Sequence, residues 1–145
     1  MLEKFRERRN EESGFTLVEL LVVMLILGIL AAIAIPAFFS QRDKGYDSDA
    51  KANARTVQTA LETYAVDNGG SYASADMTAL ADIEGTINGM DVTLTPAPGA
   101  KTYTVVATSK TGTTFSISRA ADGSTTFPCS APGDGGCPSG TGGWG

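Results

Sequence analysis

Glu19 is the only ionisable side chain in the apolar run that covers residues 15–39 of this sequence. A carboxylate inside a membrane-spanning helix costs roughly 2.5–3.5 kcal/mol at mid-helix and is usually functional where it occurs. Glu19 lies near the start of the run, where the helix dipole favours a negative charge. The order Thr16-Leu17-Val18-Glu19 also fits a capping box, in which Glu19 reaches back to the amide of Thr16. A helix cap and a specific function both remain open for Glu19.

Few other residues have the types and spacing that catalysis needs. The sequence has no histidine, so the commonest general base and the commonest metal ligand are both absent. No glycine-rich phosphate loop follows a predicted strand. We therefore expect that this protein is not an enzyme.

Cys129 and Cys137 are the only two cysteines. Two cysteines without histidine make a poor zinc site, which normally needs four ligands. In an exported domain they predict one disulfide, and a pair of free thiols is the alternative. The tail that contains them is rich in glycine. Trp144, near its end, is either a loose terminal aromatic or a docking contact to the domain or to a neighbouring subunit.

Acidic residues occur close together at Asp43, Asp47 and Asp49, but this segment lacks the glycine and the closing glutamate of an EF-hand. We interpret it as a solvated acidic stretch. The formal net charge is −5, and the charges of residues 1–14 cancel. The remainder therefore carries the whole −5, which gives no strong signal for nucleic-acid binding.

The apolar run is long enough to cross a bilayer, because about 21 residues span roughly 31 Å as a helix. Four basic residues precede it, and the positive-inside rule therefore places the N-terminus in the cytoplasm. An ordinary secretory signal peptide is the main alternative, since Ala32-Ile33-Ala34 resembles its cleavage site. Glu19 inside the run, its length, and Pro36 just after that site favour a retained membrane helix.

The segment Gly14-Phe15-Thr16-Leu17-Val18-Glu19 follows a short charged leader and precedes the apolar run with Pro36. In this arrangement it resembles the N-terminus of the type IV pilin and type II secretion pseudopilin family. The resemblance implies that a prepilin peptidase cleaves between Gly14 and Phe15 and that Phe15 is then N-methylated. It also implies that Thr16 and Glu19 belong to the assembly element.

The family resemblance further implies a structural subunit of a type IV pilus-like filament. The partners would be other copies of the chain, the peptidase, the membrane before assembly, and an inner-membrane assembly platform with a separate ATPase. The helix would loosen between Gly28 and Pro36 in the filament. No cofactor is needed, although a calcium ion in the C-terminal loop, flanked by Asp122 and Asp134, stays open. The alternatives are a secretion pseudopilin and a binding domain that does not polymerise.

We expect an α+β, pilin-like fold in four segments. These are a leader at residues 1–14, a transmembrane and assembly helix at 15–39, a globular domain at 40–128, and a disulfide-containing glycine-rich region at 129–145. The precursor would lie in the cytoplasmic membrane, and the assembled pilus would be extracellular.

Within the domain, apolar residues recur every three to four positions from Ala50 to Ala65 and predict the second, amphipathic half of the long helix. We interpret its other face as solvated, and that face contains Lys51, Arg55, Gln58 and Glu62. Gly45 predicts a loosened turn before it, and Ser74 predicts the cap of a short helix at residues 76–83.

Four strands are expected after the short helix, at residues 90–94, 101–109, 113–120 and 124–127. Alternation of apolar and polar residues and short connecting turns predict an antiparallel meander, one face of which packs on the long helix.

Overall fold

A computed structural model of the protein describes residues 14, 16–94, 98–140 and 143–145. The chain divides into two compact units, Met1–Phe39 and Ser40–Gly145. The first helix, α1 (Leu17–Asp67), begins in the first unit and ends in the second.

In the first unit, α1 is apolar on every side, and most of its side chains are exposed. Leu17, for example, is 77% exposed and Ile33 is 71% exposed. By length and composition, α1 is the one helix among the described residues that is able to cross a membrane. Gly28 and Pro36 both lie inside continuous helix, although Pro36 has no amide hydrogen to donate.

In the second unit, α1 continues without a break through Gly45 to Asp67. The loosened turn that we predicted at Gly45 is therefore wrong. A single glycine weakens a helix by only about 1 kcal/mol relative to alanine. Burial of Asp47 and Ala50 holds the next turn in place, so the helix tolerates this glycine.

A short helix, α2 (Met77–Ile83), follows α1. Its cap is Asp76, whose carboxylate accepts a hydrogen bond of 2.7 Å from the Ala79 amide. Ser74, which we predicted as the cap, instead adopts a left-handed backbone conformation with φ of 70°. Asp76 takes the role because its side chain lies directly before the helix, where the first free amides point. A 3-10 turn, Gly85–Ile87, leads to the sheet.

The predicted meander is confirmed. The sheet contains β1 (Val92–Leu94), β2 (Tyr103–Thr108), β3 (Thr114–Arg119) and β4 (Thr125–Thr126), in the order β1-β2-β3-β4 with antiparallel pairing. Val105 lies opposite both Leu94 and Ile117. This register places the buried side chains of β2 and β3 on the same face of the sheet.

The core of the second unit forms where this face meets α1. Small side chains, Ala54 and Ala60, let the helix approach the sheet closely, and Leu61 and Val57 fill the space between them. The buried side chains from the strands are Val92, Tyr103, Val105, Ala107, Phe115 and Ile117.

Replacing Leu61 by alanine should lower the free energy of unfolding by about 2–5 kcal/mol, because it removes a fully buried side chain and leaves a cavity. Chemical denaturation of the purified full chain in detergent would measure the change. Val66→Ala on the same helix is the control, since Val66 is 80% exposed. Equal losses in the two variants would contradict this position of the core.

Candidate functional site

The start of α1 forms the capping box that the sequence suggested. The Thr16 hydroxyl accepts a hydrogen bond of 3.2 Å from the Glu19 amide, and the Glu19 carboxylate accepts one of 3.4 Å from the Thr16 amide. These two bonds satisfy amides that have no partner within the helix. Both side chains are exposed, so the Glu19 carboxylate also remains accessible to a positively charged group.

The two residues of the predicted cleavage site differ in what the structure describes. Gly14 lies just before the helix and is exposed, whereas Phe15 and the leader before Gly14 lie outside the described residues. Gly28 and Pro36 lie on the exposed apolar part of α1.

Asp47, which we interpreted as part of a solvated acidic stretch, is buried with only 1% of its surface exposed. Its carboxylate accepts a hydrogen bond of 2.7 Å from the Thr111 hydroxyl and one of 2.8 Å from the Gly136 amide. Thr111 belongs to the turn between β2 and β3, and Gly136 lies in the loop closed by the disulfide. Asp47 therefore joins α1 to both of these segments.

Two opposing effects set the protonation of Asp47. Burial raises the pKa of this carboxyl, but hydrogen bonds from Ser109, Gly136 and Thr111 and the nearby charge of Lys51 together outweigh it. The net pKa lies below its ordinary value of 3.8, since bonds that favour the charged form lower a carboxyl pKa. The side chain is thus an anion at neutral pH.

The sequence did contain a signal for this burial. The buried face of α1 recurs at residues 50, 54, 57, 61 and 65, and extending that spacing one turn toward the N-terminus arrives at Asp47. Glycine at residues 135 and 136 fits the same contact, because a Cβ atom at either position would collide with the Asp47 side chain, but only the folded chain shows this. Our interpretation gave too much weight to charge and too little to periodicity.

Cys129 and Cys137 form the predicted disulfide. Cys137 is buried, and Cys129 pairs with Phe115 in an isolated bridge beside β3. The disulfide loop, residues 129–137, is therefore attached to the sheet at one end and to α1 through Asp47 and Gly136 at the other.

Trp144 docks on its own domain rather than being a loose terminal residue. Its indole N–H lies 3.1 Å from the carbonyl oxygens of both Ser116 and Pro128, to which it donates. Its ring contacts Phe115 and Phe127 edge-on, with centroids 5.9 and 5.4 Å away. These contacts fix the last described residues against β3.

Lys51 and Arg55 on α1 contact the same aromatic group. The Lys51 amine lies 5.9 Å from the centre of the Trp144 ring, and the Arg55 guanidinium lies 5.4 Å from it. Arg55 also lies 4.9 Å from the Phe127 ring. Cations at such distances are attracted to aromatic faces by about 0.5–1 kcal/mol at exposed sites.

Glu62, two turns further along α1 than Arg55, contacts the sheet where β2 begins. Its carboxylate accepts hydrogen bonds from the hydroxyls of Tyr72 at 2.8 Å and Tyr103 at 2.9 Å, and Arg119 lies 3.7 Å away. Burial, with a contribution from this carboxylate, raises the pKa values of both tyrosines. Gln58 donates to the Tyr103 hydroxyl.

The predicted solvated face of α1 is correct for Arg55, which is exposed, but Lys51, Gln58 and Glu62 are half-buried. We define the polar row as Asp47, Lys51, Arg55, Gln58 and Glu62, which recur every three to four residues along α1. All five contact the sheet, the turn after β2, the disulfide loop or the docked tail. Except for Asp47, which is buried, their long side chains reach around the edge of the core, which sequence spacing alone does not reveal.

No group of three or more cysteine, aspartate or glutamate side chains converges on a metal-sized site within residues 14, 16–94, 98–140 and 143–145. Asp43 pairs with Arg42 at 3.1 Å, and the Asp122 carboxylate accepts a hydrogen bond from the Ser124 amide. These geometries are those of local surface contacts.

Comparison with known proteins links both units to filament proteins. A family model described as a prokaryotic N-terminal methylation motif matches residues 9–35. The fimbrial protein EcpC of Eikenella corrodens is 35% identical over 136 residues, which cover 87% of this chain and 87% of that protein.

Two other relatives match over shorter stretches. The type II secretion system core protein G of Pseudomonas aeruginosa is 43% identical over 61 residues, or 42% of this chain and 43% of the relative. The type IV major pilin protein PilA of Myxococcus xanthus is 47% identical over 51 residues, or 35% of this chain and 23% of the relative. These two matches span less than half of each relative.

Asp47 should stabilise the domain in a pH-dependent way. The pKa of the Asp47 carboxyl is lowered in the folded state. The carboxylate therefore contributes fully to the free energy of unfolding above about pH 4, and this contribution is lost as the pH falls through the folded pKa. The difference in unfolding free energy between wild type and Asp47→Asn should therefore shrink as the pH falls from 6 to 2.5. Denaturant titrations at each pH measure this difference.

Asp49→Asn is the matched control for that experiment, since Asp49 is exposed on the same helix. Its unfolding free energy should follow that of wild type throughout. A difference for Asp47→Asn that stays constant with pH would contradict a stabilising carboxylate at residue 47.

Proposed function

This chain belongs to the type IV pilin and type II secretion pseudopilin family, and from that premise we propose that it is a structural subunit of a type IV pilus-like filament. In this role the protein polymerises through the apolar part of α1 after its leader is removed. The proposal includes no catalytic activity and no bound cofactor.

The observation that carries the proposal is the exposure of the apolar part of α1. Between Leu17 and Phe39 the helix presents large apolar side chains in every direction. Exposed apolar surface of this extent needs lipid or another protein to cover it. A membrane covers it in the precursor, and the same helices of other copies cover it in the filament.

Maturation would prepare the helix for this exchange. A prepilin peptidase would remove residues 1–14 and expose the amine of Phe15, which the same enzyme would methylate. The precursor would wait in the cytoplasmic membrane with its N-terminus inside. An assembly platform and a separate ATPase would then move it into an extracellular filament.

Glu19 would have two roles in this process. Within one chain it caps α1 through the Thr16 amide. During assembly its carboxylate would attract the positive amine of Phe15 on a neighbouring copy, and this attraction grows as the surroundings become less polar. A pair formed this way would favour one register between adjacent helices.

Gly28 and Pro36 would be the weak points of α1 in the filament. The segment between them is helical in the single chain, but glycine has low helix propensity and proline removes one backbone hydrogen bond. Loss of helix there on assembly would let the helices of neighbouring copies pack at different angles. A filament density map would test this by showing either extended or helical backbone at residues 28–36.

A pseudopilin is the second candidate, and the observation that favours it is the 43% identity to a secretion-system core protein. The two candidates share maturation and polymerisation and differ in the product. A pilus is a long surface fibre that shearing releases, whereas a pseudopilus is a short assembly that remains with the cell envelope.

Mass spectrometry of the mature N-terminus should find a chain that begins at methylated Phe15, in both membrane and sheared-surface fractions. Recovery in the sheared fraction is expected for a pilus, and retention in the envelope would favour the pseudopilin. A mature chain that begins near residue 35 would show that the apolar run was a secretory signal peptide, and the filament proposal would fail.

Three substitutions separate the two roles of Glu19. Glu19→Ala removes both the cap and the charge, Glu19→Gln retains a capping side chain without charge, and Thr16→Ala weakens the cap but retains the charge. If the charge drives assembly, both Glu19 variants should lose sheared filaments by at least about tenfold while Thr16→Ala retains most of them.

Membrane levels of each precursor, measured by immunoblot, are the control for expression. Wild-type filament yield from Glu19→Gln would mean that Glu19 acts only as a helix cap. Wild-type filament yield from Glu19→Ala would mean that assembly needs neither the cap nor the charge of Glu19, and absence of filaments from wild type and all variants would favour a binding domain that does not polymerise.

A further inference from the structure

The two halves of the disulfide have different surroundings. Cys137 is 3% exposed, whereas Cys129 is partly exposed. Residues on both sides of Cys129 bond to β3, where the Ser116 amide donates to the Pro128 carbonyl at 2.9 Å and the Ser130 amide donates to the Thr114 carbonyl at 3.1 Å. Cys129 therefore lies at a fixed edge of the sheet with part of its surface open.

Cys137 is held by the loop that precedes it. The Gly136 amide donates to the buried Asp47 carboxylate at 2.8 Å, and the Cys137 amide donates to the Asp134 carbonyl at 2.9 Å. Glycines at residues 135 and 136 let the backbone come close to Asp47. The position of Cys137 thus depends on α1, while that of Cys129 depends on the sheet.

We propose that the disulfide is a one-sided site of thiol–disulfide exchange, at which a thiolate attacks the Cys129 sulfur and Asp47 holds Cys137 in place for closure. In this step a bond forms between the incoming sulfur and Cys129, and the bond to Cys137 breaks. Cys137 leaves as a thiolate. A second thiolate then attacks the mixed disulfide, so two incoming thiols are oxidised to one disulfide while both cysteines are reduced.

Access decides which sulfur is attacked, because exchange needs an open approach to the sulfur atom. Cys129 is the partly exposed cysteine of the pair, and Cys137 is buried. The buried Cys137 is a poorer leaving group than a solvated thiol, since an apolar environment disfavours the thiolate. The first step is therefore slow and reversible.

Asp47 makes the reverse step efficient. While its bond to the Gly136 amide persists, the Cys137 thiolate stays next to the mixed disulfide and expels the incoming thiol. Such a reaction within one chain has a high effective concentration. Complete reduction then requires release of the disulfide loop from α1, and Asp47 acts as a positioning residue for the disulfide.

The side of attack can be tested on the wild-type full chain. Glutathione is added briefly, exchange is stopped with acid, and free thiols are alkylated before mass spectrometry. We expect glutathione on Cys129 and the alkyl group on Cys137. The reverse pattern, or equal amounts of the two, would overturn the one-sided site.

The positioning role can be tested by the rate of reduction with excess dithiothreitol. Asp47→Asn should be reduced about tenfold faster than wild type, because a neutral amide bonds the Gly136 amide less strongly than a carboxylate does. Asp47→Ala should be faster still. The control, Asp49→Asn, should match wild type, and equal rates for Asp47→Asn and wild type would overturn the role of Asp47.

Filament yield is a separate measurement, so failure of this inference is distinguishable from failure of the proposed function. If Asp47→Ala does not fold, the reduction rate of Asp47→Asn still tests the role of Asp47, and the glutathione adduct on the wild-type chain still tests the side of attack.

Discussion

Packing of α1 against one face of the sheet is the interaction on which the second unit depends. The sheet has only four short strands, and its buried face has no other large element to cover it within the described residues. The helix supplies alanines where the backbones come close and larger residues, Leu61 and Val57, where space remains. If α1 were lost from this face, the strands would expose Phe115 and Ile117, and such a small sheet would not persist alone.

The polar row turns this packing into a defined position. Apolar contacts are non-directional, so they allow a helix to slide or rotate on a sheet. The hydrogen bonds that Asp47 and Glu62 accept have fixed directions and come from donors at opposite ends of the second unit's sheet face. Arg55 adds contacts with the aromatic rings of Phe127 in the domain and Trp144 in the tail. The row therefore determines which residues meet, while the core supplies most of the stability.

Most of the fold was predictable from the sequence because its signals are local. Helix periodicity, strand alternation and the turns between strands are read within about ten residues, and each of the four strands was found within one to two residues of its ends. The capping box at Thr16 and Glu19 is equally local. The error at Gly45 arose because propensity is a weak effect that tertiary contacts override.

The partners of the polar row were not predictable, because they lie far away in the sequence. Thr111 is 64 residues from Asp47 and Gly136 is 89 residues from it. The Trp144 indole donates to a carbonyl 28 residues earlier. Spacing shows that a charged residue lies on one side of a helix, but only the folded chain shows what has come to cover that side.

A carboxylate at residue 47 has a consequence that an apolar residue would not have. Replacing a whole buried ion pair by well-packed apolar residues is often neutral for stability. Here the carboxylate also accepts hydrogen bonds from the Thr111 hydroxyl and the Gly136 amide. An apolar neighbour would remove the partner of the partly buried Gly136 amide, at a cost of about 1–3 kcal/mol. Residues 47, 111 and 136 therefore form one unit, and the disulfide loop takes its position from the helix as much as from its own covalent bond.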